Sequence, residues 1–559
     1  MVKYHPLFQK PQVTAWACIS RRLKFIFFYG LFVGLVGLVI HVAKTNSSLS
    51  SIYNLQSSLG DMLDLEMRYL PKTNGSTGWK QTSVKEGHIY SAYLDTRPEQ
   101  ILQESHEGIG NETTWAMVRI IAILPRYNPP VTCFYKYRGK QTEDGETFLI
   151  KKKKATRTKP VAISEGFNMY YSAFFVLCDL TMSAKMDYEE YYSKQHLPYE
   201  ITIAPGNITD SYEPKNDSFV PIFYPENGIS MAEFSTNFMA VCVPVLHHNF
   251  DRVTNLVEFV EFYRMMGVGH FTFYNRSISS RVGKVLEHYR DNGVATILPW
   301  DLPPYFIFEK NLRVDGIFAA LNDCLYRSSF HKSYMYVASV DIDEFIVPRK
   351  HKDYLDMMQY LDPIGPHLPL NDQASFLFRN MFFYLMFDDD PVTLAPEIPK
   401  LYTQSKTTRT MFANPGRERS KYIVRSRQTV ELGNHHTWEL RKTASAFNKR
   451  YKEVTVDVQV AASQHYRSCE TNIETCWLRQ TVKDTSAHKF TAALGERVSK
   501  ACKGIFENGC PEDVANQRPD RDAAKVQVAD KEKEADKKES SAHGEVTNSS
   551  DLNREEKGR

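Results

Sequence analysis

The 559-residue sequence lacks a strong excess of charge, because its formal net charge is only +3. Nucleic-acid-binding proteins normally concentrate basic residues on one surface, so this balance gives no reason to expect a nucleic-acid partner. The one dense basic run is Lys151–Lys154, which we predict to be a solvated loop rather than a binding patch. None of the cysteines shows zinc-finger spacing, which argues against a metal site built from cysteine.

Long apolar runs are also scarce, and only the run from Phe25 to Ala43 has the length needed to cross a bilayer. Three basic residues lie just before it, and only Lys44 follows closely. The positive-inside rule then predicts a cytosolic tail over residues 1–24 and a lumenal chain after the helix. Because the run exceeds the apolar part of a usual signal peptide, we expect an uncleaved signal-anchor.

Cysteines and glycosylation triplets agree with a lumenal chain. Eight of the nine cysteines follow the apolar run, in a compartment where disulfides persist. Cys469 and Cys476, and likewise Cys502 and Cys510, are close enough to close small loops, and Cys133 and Cys178 are a candidate pair between strands. The N-x-[ST] triplets begin at Asn46, Asn74, Asn111, Asn207, Asn216, Asn275 and Asn548.

Changes in composition divide the rest of the chain. Residues 44–85 are polar with one amphipathic patch, which predicts a stem. Residues 86–236 contain β-branched and aromatic runs separated by turns, which predicts a small β-rich accessory domain. Residues 519–559 have almost no large apolar side chains, so we expect disorder there.

Residues 237–518 have a different rhythm, in which buried strands alternate with amphipathic helices. The predicted strands are Met239–Val245, His270–Tyr274, Val294–Leu298 and Tyr334–Val340, and the helices are Leu256–Met266, Val282–Tyr289 and Ile317–Tyr326. This β-α-β-α-β-α-β order predicts an α/β domain with a mostly parallel sheet covered by helices. Such sheets bind ligands outside the carboxyl ends of their strands.

The sharpest chemical signal follows the fourth predicted strand, in Asp341-Ile342-Asp343-Glu344. Asp341 and Asp343 can project together, and two like charges at that distance repel unless a cation lies between them. Oxygen ligands suit Mn²⁺ or Mg²⁺, which would bridge the diphosphate of a nucleotide sugar. The alternative is that Asp341 or Glu344 caps a helix or pairs with Arg349.

Six blocks over roughly residues 237–480 resemble glycosyltransferase family 92 in order and spacing. They are CVPVLHHNF near Cys242, LVEFVEFYRMMGVGHFTFYN over 256–275, ALNDCLYR over 320–327, SVDIDEFIVP over 339–348, KYIVRSRQTVELGNHHT over 421–437 and QHYR over 464–467. The resemblance implies a GT-A fold (Rossmann-like), a divalent metal and a sugar-nucleotide donor. For characterised members it implies transfer of galactose from UDP-galactose to a glycan, with inversion to a β linkage. Ser426 stands where the family often has proline, which leaves acceptor preference open.

Further candidate ligands lie downstream of the carboxylates. His465, then His436, then His435 are candidates to touch the metal or the diphosphate, since neutral imidazole binds divalent ions. Lys421 and Arg467 are candidates to neutralise phosphate, with ordinary surface charge as the alternative.

An inverting transfer also needs a general base. Asp388, in a run of three aspartates that also suits a solvated turn, and Glu439 are both candidates, and the sequence does not choose between them. Asp323 is predicted to orient the donor or the metal-bearing strand, and Trp300 to lie near the donor pocket.

Together these features predict a single-pass type II membrane enzyme of the Golgi, a metal-dependent β-galactosyltransferase acting on glycans of glycoproteins or glycolipids. A homodimer is compatible with this expectation. The alternatives are the same fold with another UDP-sugar donor, or a non-catalytic lumenal glycan-binding protein.

Overall fold

The computed structural model describes residues 49–71, 78–104, 112–127, 129–141, 148–183, 195–209, 211–303, 306, 311–363, 372–391, 398–443, 449–469, 476–511 and 513. The chain divides into two units between residues 511 and 512, and every element named below belongs to the first. The predicted cytosolic tail, the apolar run Phe25–Ala43 and the tail 519–559 lie outside the described residues. Among the helices of the described part, none has the length and apolar character to cross a membrane.

The region predicted to be β-rich forms one large, mainly antiparallel sheet. Its strands are β1 Lys80–Gln81, β2 His88–Asp95, β3 Glu112–Pro125, β4 Val131–Gln141, β5 Phe148–Lys154, β6 Thr158–Ala162, β7 Tyr171–Ser183, β8 Glu200–Pro205 and β9 Val220–Phe223. They lie in the order β5-β4-β8-β9-β2-β3-β7-β6, with β1 paired to β2. We call this the N-terminal sheet.

Lys151–Lys154 belongs to β5, the edge strand of the N-terminal sheet, so the prediction of a loop was wrong at this point. The run pairs with β4 on one side through contacts such as Lys154 opposite Phe134. Lysines on an edge strand discourage the unpaired backbone from joining another sheet. The basic run therefore has a structural explanation.

A helix over residues 49–68 (α1) occupies much of the segment predicted to be a stem. Leu59 and Leu63 are buried and pack with Trp115 of β3. The described part of this segment thus differs from an extended spacer, because its amphipathic patch covers apolar surface of the N-terminal sheet. A short helix, α2 (Pro98–Glu104), follows β2.

The second sheet confirms the predicted alternation of strands and helices. Its first four strands are β10 Asn237–Cys242, β11 His270–Asn275, β12 Ala295–Pro299 and β13 Tyr334–Ser339, connected by helices α3 Val253–Met265, α4 Ser280–Asp291 and α5 Ile317–Tyr326. The four strands are mutually parallel and lie in the order β12-β11-β10-β13. This mixed α/β arrangement is the predicted fold class, and the strand order reverses between β10 and β13.

Later strands extend this sheet and build a smaller one beside it. The intervening elements are β14 Glu344–Pro348, α6 Tyr354–Leu361, β15 Gln373–Phe378, β16 Asn380–Tyr384, α7 Tyr402–Ser405, β17 Thr408–Thr410, β18 Lys421–Arg425, β19 Thr429–Leu432, β20 Thr437–Leu440, β21 Lys452–Thr455, β22 Ala461–Arg467, β23 Thr481–Lys483 and α8 Thr491–Ile505. Strands β18, β15 and β21 continue from β13, whereas β14, β22 and β16 form a separate three-stranded sheet. Two further pairs, β17–β23 and β19–β20, complete the described strands.

The two faces of the parallel sheet are covered differently. Met239 and Val241 of β10 pack with apolar residues of α3, including Phe259. Tyr274 and Trp300 pack instead with the N-terminal sheet and α5. The sheet therefore lies between helices on one face and the N-terminal sheet with α5 on the other, and both faces are buried.

All eight cysteines that follow the apolar run are paired. The disulfides are Cys133–Cys178, Cys242–Cys324, Cys469–Cys476 and Cys502–Cys510. The two small loops and the link between strands are confirmed. The second bond joins β10 to α5, beside the point where the strand order reverses.

Candidate functional site

The carboxyl ends of β10 and β13 are adjacent at the point where the strand order reverses. Open α/β sheets bind ligands in the crevice outside such a switch point. Asp341 and Asp343 lie in the turn between β13 and β14, directly at this edge. The fold therefore puts the two predicted carboxylates where a ligand of this sheet would bind.

The chain leaving β10 at the same edge has an unusual backbone. His248 and Asn249 are consecutive non-glycine residues with φ of 57° and 51°. His and Asn are among the side chains that adopt this left-handed conformation most readily, so the two residues form a tight turn where the chain leaves β10.

Lys421 is the buried centre of the charge cluster. It begins β18, and its Nζ lies 3.2 Å from Asp341 Oδ2 and 3.2 Å from Glu344 Oε2. Burial opposes the charge, but the two carboxylates outweigh it and raise the pKa of Lys421 above its usual value. Lys421 was predicted to meet phosphate, and the structure instead shows its ammonium engaged with carboxylates of the protein.

His465 and Arg252 surround Asp343. His465 Nε2 lies 3.6 Å from Asp343 Oδ1, and its Nδ1 lies 3.0 Å from Glu344 Oε1. An Arg252 guanidinium nitrogen lies 3.7 Å from Asp343 Oδ2. His465, predicted to touch the metal or the diphosphate, therefore lies against the carboxylate cluster, and these contacts do not test its metal-binding role.

The three carboxylates differ in exposure and in protonation. The side chains of Asp341, Asp343 and Glu344 are 36%, 25% and 1% exposed, so only the first two face the crevice. Burial raises the pKa of Asp341 to about 6, although Lys421 partly offsets it. Burial also opposes ionisation of Asp343, but His465 and Arg252 outweigh it and lower the Asp343 pKa to about 2.

The same contacts charge the imidazole. Burial lowers the pKa of His465, but Glu344 and Asp343 outweigh that effect and raise the pKa to about 9. His465 is therefore an imidazolium at neutral pH in this arrangement. A metal ion bound there would have to displace that proton, because metal-binding imidazole is neutral.

The other two predicted histidines lie in the β19–β20 turn. Burial, followed by the charge of Lys421, lowers the pKa of His435 to about 4, so its ring is neutral and close enough to the cluster to respond to it. The Nδ2 of Asn434 lies 3.2 Å from His435 Nε2. His436 packs instead against Trp438, with ring centroids 4.6 Å apart.

Arg467 lies two residues beyond His465 on β22, so the two side chains share a face of that strand. Its guanidinium is 5.2 Å from the centroid of the Phe382 ring, and the same ring is 5.5 Å from the His465 ring. Arg467 therefore lies near the cluster, and its predicted contact with phosphate stays a prediction.

Asp323 and Trp300 lie in the core instead of the crevice. Asp323 is fully buried and accepts hydrogen bonds from Tyr93 (2.6 Å), Tyr274 (2.6 Å) and Arg327 (3.1 Å). The indole N–H of Trp300, also fully buried, donates to the backbone oxygen of Asp315 at 2.7 Å. Their positions give the predicted donor contacts no support, because both side chains seal the parallel sheet against the N-terminal sheet.

The two predicted bases are in different environments. Asp388 is exposed just after the turn that ends β16, next to Asp389, which pairs with Lys400 and Lys406. Glu439 on β20 lies 2.6 Å from Arg450. Neither arrangement assigns the base, and both residues stay predictions.

Three residues near the cluster were not singled out as site residues by the sequence. Glu344 links Lys421 to His465, and Asn380 Nδ2 lies 3.3 Å from Glu344 Oε1 and 3.2 Å from His465 Nδ1. Arg252 precedes α3. Glu344 was visible as the fourth residue of the acidic run, but Asn380 and Arg252 carry no sequence signal because strand pairing brings them there.

The predicted glycosylation sites are partly described. Asn207 and Asn216 are exposed, whereas Asn275 is half-buried at the end of β11. Asn46, Asn74 and Asn111 lie outside the described residues.

The side chains at this edge can be compared with the ligands that the implied metal ion prefers. Over the described ranges, no group of three or more His, Cys, Asp or Glu side chains is arranged to hold a metal ion. Asp343 and His465 offer one carboxylate and one imidazole. Mg²⁺ in phosphate-handling enzymes is commonly bound by one or two carboxylates together with substrate phosphates and water. The residues present fit an ion that arrives with a diphosphate, rather than a site built from protein ligands alone.

Comparisons with known proteins agree with the resemblance seen in the sequence. Residues 237–500 match the sequence profile of glycosyltransferase family 92. The chain is 25% identical over 264 residues to "Beta-1,4-galactosyltransferase galt-1" of Caenorhabditis elegans, covering 46% of this chain and 55% of that protein. It is 34% identical over 114 residues to "Glycosyltransferase family 92 protein F13G3.3" of the same organism, covering 19% and 22%.

The chain thus spans about half the length of the first of these relatives and about a fifth of the second. Among solved structures, S. aureus TarS 1–349 aligns with 12% identity over 42% of this chain and 60% of that one. Its TM-score of 0.24 is too low to support an inference. The segment that carries the acidic cluster, residues 237–500, therefore matches glycosyltransferase family 92, the family that the six sequence blocks resemble.

Proposed function

We propose that the chain is a metal-dependent glycosyltransferase of the GT-A type that moves galactose from UDP-galactose to a glycan acceptor, with inversion to a β linkage. The observation that carries the proposal is the pairing of Asp343 with His465 outside the carboxyl end of β13. The choice of galactose is supported by one relative, which is named a β-1,4-galactosyltransferase.

Asp343 and His465 would hold Mn²⁺ or Mg²⁺, which when bound neutralises charge on the departing nucleoside diphosphate. Asp341, the more exposed aspartate, is held by Lys421 and faces the same crevice. Glu344 is buried and fixes the orientations of Lys421 and His465. Arg252 adds a guanidinium, whose planar fork suits phosphate oxygens.

The acceptor hydroxyl would lose its proton to Asp388 or Glu439. Asp388 is exposed and accessible to an acceptor. Glu439 would first have to leave the guanidinium of Arg450, 2.6 Å away. A base must come within hydrogen-bond reach of the hydroxyl, and apo geometry alone does not exclude either residue.

The cellular setting is part of the proposal: a type II protein of the Golgi membrane with its catalytic region in the lumen, acting on glycoprotein or glycolipid glycans. The apolar run Phe25–Ala43, the basic residues before it and the four disulfides support this setting.

A donor screen tests the function. The chain without residues 1–44 is incubated with UDP-galactose, UDP-N-acetylglucosamine or UDP-glucose and a panel of glycans, with Mn²⁺ or with a chelator. We expect glycan-dependent UDP release from UDP-galactose with Mn²⁺ and its loss with the chelator. Transfer from another donor would replace galactose in the proposal, and UDP–Mn²⁺ binding without transfer to any glycan would favour a non-catalytic glycan-binding protein.

A further inference from the structure

A cavity of about 240 Å³ opens beside the three-stranded sheet and is lined by residues with no role in the candidate site. Its walls come from the end of β14, the start of β16, the chain around β17 and the residues before β22. The cavity is smaller than the roughly 300–1,000 Å³ of typical drug-sized sites, so it suits one substituted ring rather than a long chain.

Three arginines, Arg349, Arg379 and Arg409, line this cavity. Asp484 pairs with Arg349 and with Arg409, whose Nε donates to the carboxylate at 2.6 Å. Among the described residues, no carboxylate pairs with Arg379. Asp457, next to the lining residue Val458, is exposed and accepts from the backbone N–H of Gln459 at 2.8 Å. The cavity therefore has three guanidinium charges against one buried carboxylate.

Structural roles account for part of this arrangement. The Nε and Nη2 of Arg379 donate to the backbone oxygens of Asn414 and Ala413, both at 2.8 Å, and so hold the wall of the cavity. They leave the positive charge of Arg379 uncompensated. The buried Nε of Arg349 has no hydrogen-bond partner among the described residues. Buried donors without partners are uncommon, and an unseen ligand or water is a normal explanation for one.

The remaining wall is apolar and partly open. Met381 lies against Arg349, with its sulfur 3.6 Å from a guanidinium nitrogen. Met411 and Phe412 form the rim, and the Phe412 side chain is 75% exposed. Guanidinium charge next to an exposed aromatic ring suits a ligand with an anionic group on a ring that has an apolar face.

The cavity and the candidate site are separate but lie on one strand. Asn380 and Met381 are neighbours on β16, so their side chains point to opposite faces. Asn380 contacts Glu344 and His465, whereas Met381 lines the cavity.

We propose that this cavity binds the carboxylate, phosphate or sulfate group of an acidic saccharide. The ligand is expected to be anionic because three guanidinium groups line the cavity and only one buried carboxylate balances them. The saccharide rests on the proposed function, since a glycan acceptor is the molecule expected at this domain.

Calorimetry without donor or metal separates this proposal from the proposed function. The probe is 4-nitrophenyl β-D-glucuronide, and its neutral counterpart is 4-nitrophenyl β-D-glucoside. We expect the glucuronide to bind at least about tenfold more tightly. Equal affinities, or no binding of either compound, would overturn the proposal whatever the transfer activity is.

Variants locate the binding. Arg379→Gln should weaken glucuronide binding by about tenfold or more, and Arg290→Gln, at an exposed arginine of α4, should leave it unchanged. If Arg379→Gln lowers the melting temperature, Phe412→Ala decides, because an exposed side chain can be removed without a folding cost. Phe412→Ala should weaken binding several-fold, and the control Leu355→Ala, at an exposed leucine of α6, should leave it unchanged. Unchanged affinity in Phe412→Ala, or in a folded Arg379→Gln, would contradict the proposal. Inorganic sulfate binding as tightly as the glucuronide would remove the saccharide assignment.

Discussion

Glu344 and His465 are direct partners across the antiparallel strands β14 and β22, and Glu344 Oε1 lies 3.0 Å from His465 Nδ1. This pairing sets the position of the imidazole opposite Asp343, the preceding residue. Backbone register, rather than a flexible loop, therefore fixes one half of the candidate site.

Removal of the buried cation should destabilise the protein. In Lys421→Met, Glu344 and Asp341 lose the ammonium that compensates them, which we expect to cost about 3–5 kcal/mol. The melting temperature should fall by several degrees. Lys449→Met is the matched control, because Lys449 pairs with Asp372 at an exposed position and such pairs contribute about 0–1 kcal/mol. Equal melting temperatures for the two variants would show that the cluster is not held as described.

Asp323 should matter for stability and not for the donor. The buried carboxylate of Asp323 accepts hydrogen bonds from Tyr93, Tyr274 and Arg327. Because Asp323→Asn removes its charge, the melting temperature should fall. The affinity for UDP-galactose with Mn²⁺ should stay within about twofold, since the side chain is sealed from the crevice. A selective loss of donor affinity at an unchanged melting temperature would restore the donor-orienting role that the sequence predicted.

The N-terminal sheet should be required for the parallel sheet to fold. A chain limited to residues 237–511 would expose Tyr274, Trp300 and Phe330, which are buried in a core shared with Tyr90 and Tyr93. We expect this fragment to bind a hydrophobic dye, to be cleaved rapidly by protease and to show no cooperative melting. A sharp melting transition at the temperature of the longer chain would show that the two sheets are independent.

Stability should depend on His270 in mildly acidic solution. Burial, assisted by Lys332, lowers the pKa of His270 to about 4, below the roughly 6.5 of an unfolded histidine. Between these values the unfolded chain binds more protons, so this contribution to stability is present above pH 6.5 and is lost as pH falls to about 4. The loss should be about 3 kcal/mol.

The variant His270→Gln retains a polar partner for Thr296, whose hydroxyl lies 2.8 Å from His270 Nε2. Melting temperatures measured from pH 7 to pH 4 should fall less steeply in the variant than in the parent chain. Parallel curves would mean that His270 does not titrate as its burial implies.

Periodic segments were predictable because their signal is local. The helix predicted at Ile317–Tyr326 has the bounds that the structure shows, and the strand predicted at Tyr334–Val340 ends within a residue of β13. Each needs only the spacing of apolar residues along one segment.

Contacts between distant segments were not predictable in this way. Trp300 directly follows β12, but its burial depends on Tyr90. The ring centroids of Tyr90 and Trp300 are 4.6 Å apart, and the Tyr90 hydroxyl donates to the backbone oxygen of Pro299, 209 positions away. Lys421 was predicted to meet phosphate, and only the pairing of β18 with β13 shows that carboxylates take its charge. The residue types indicated that charged side chains would lie at the carboxyl edge of the parallel sheet. The register between strands determines which of these side chains contact each other.

The most direct test of the account is donor binding by Asp343→Asn, a change that keeps the shape of the side chain and removes its charge. Calorimetry with UDP-galactose and Mn²⁺ should show binding by the parent chain, and a loss of about tenfold or more in the variant, which should still fold and melt in a single transition. Removal of Mn²⁺ should lower the donor affinity of the parent chain to a similar extent and should change the donor affinity of the variant little. Donor affinity that is the same with and without Asp343 and Mn²⁺ would contradict the claim that this edge of the sheet holds a metal–nucleotide sugar.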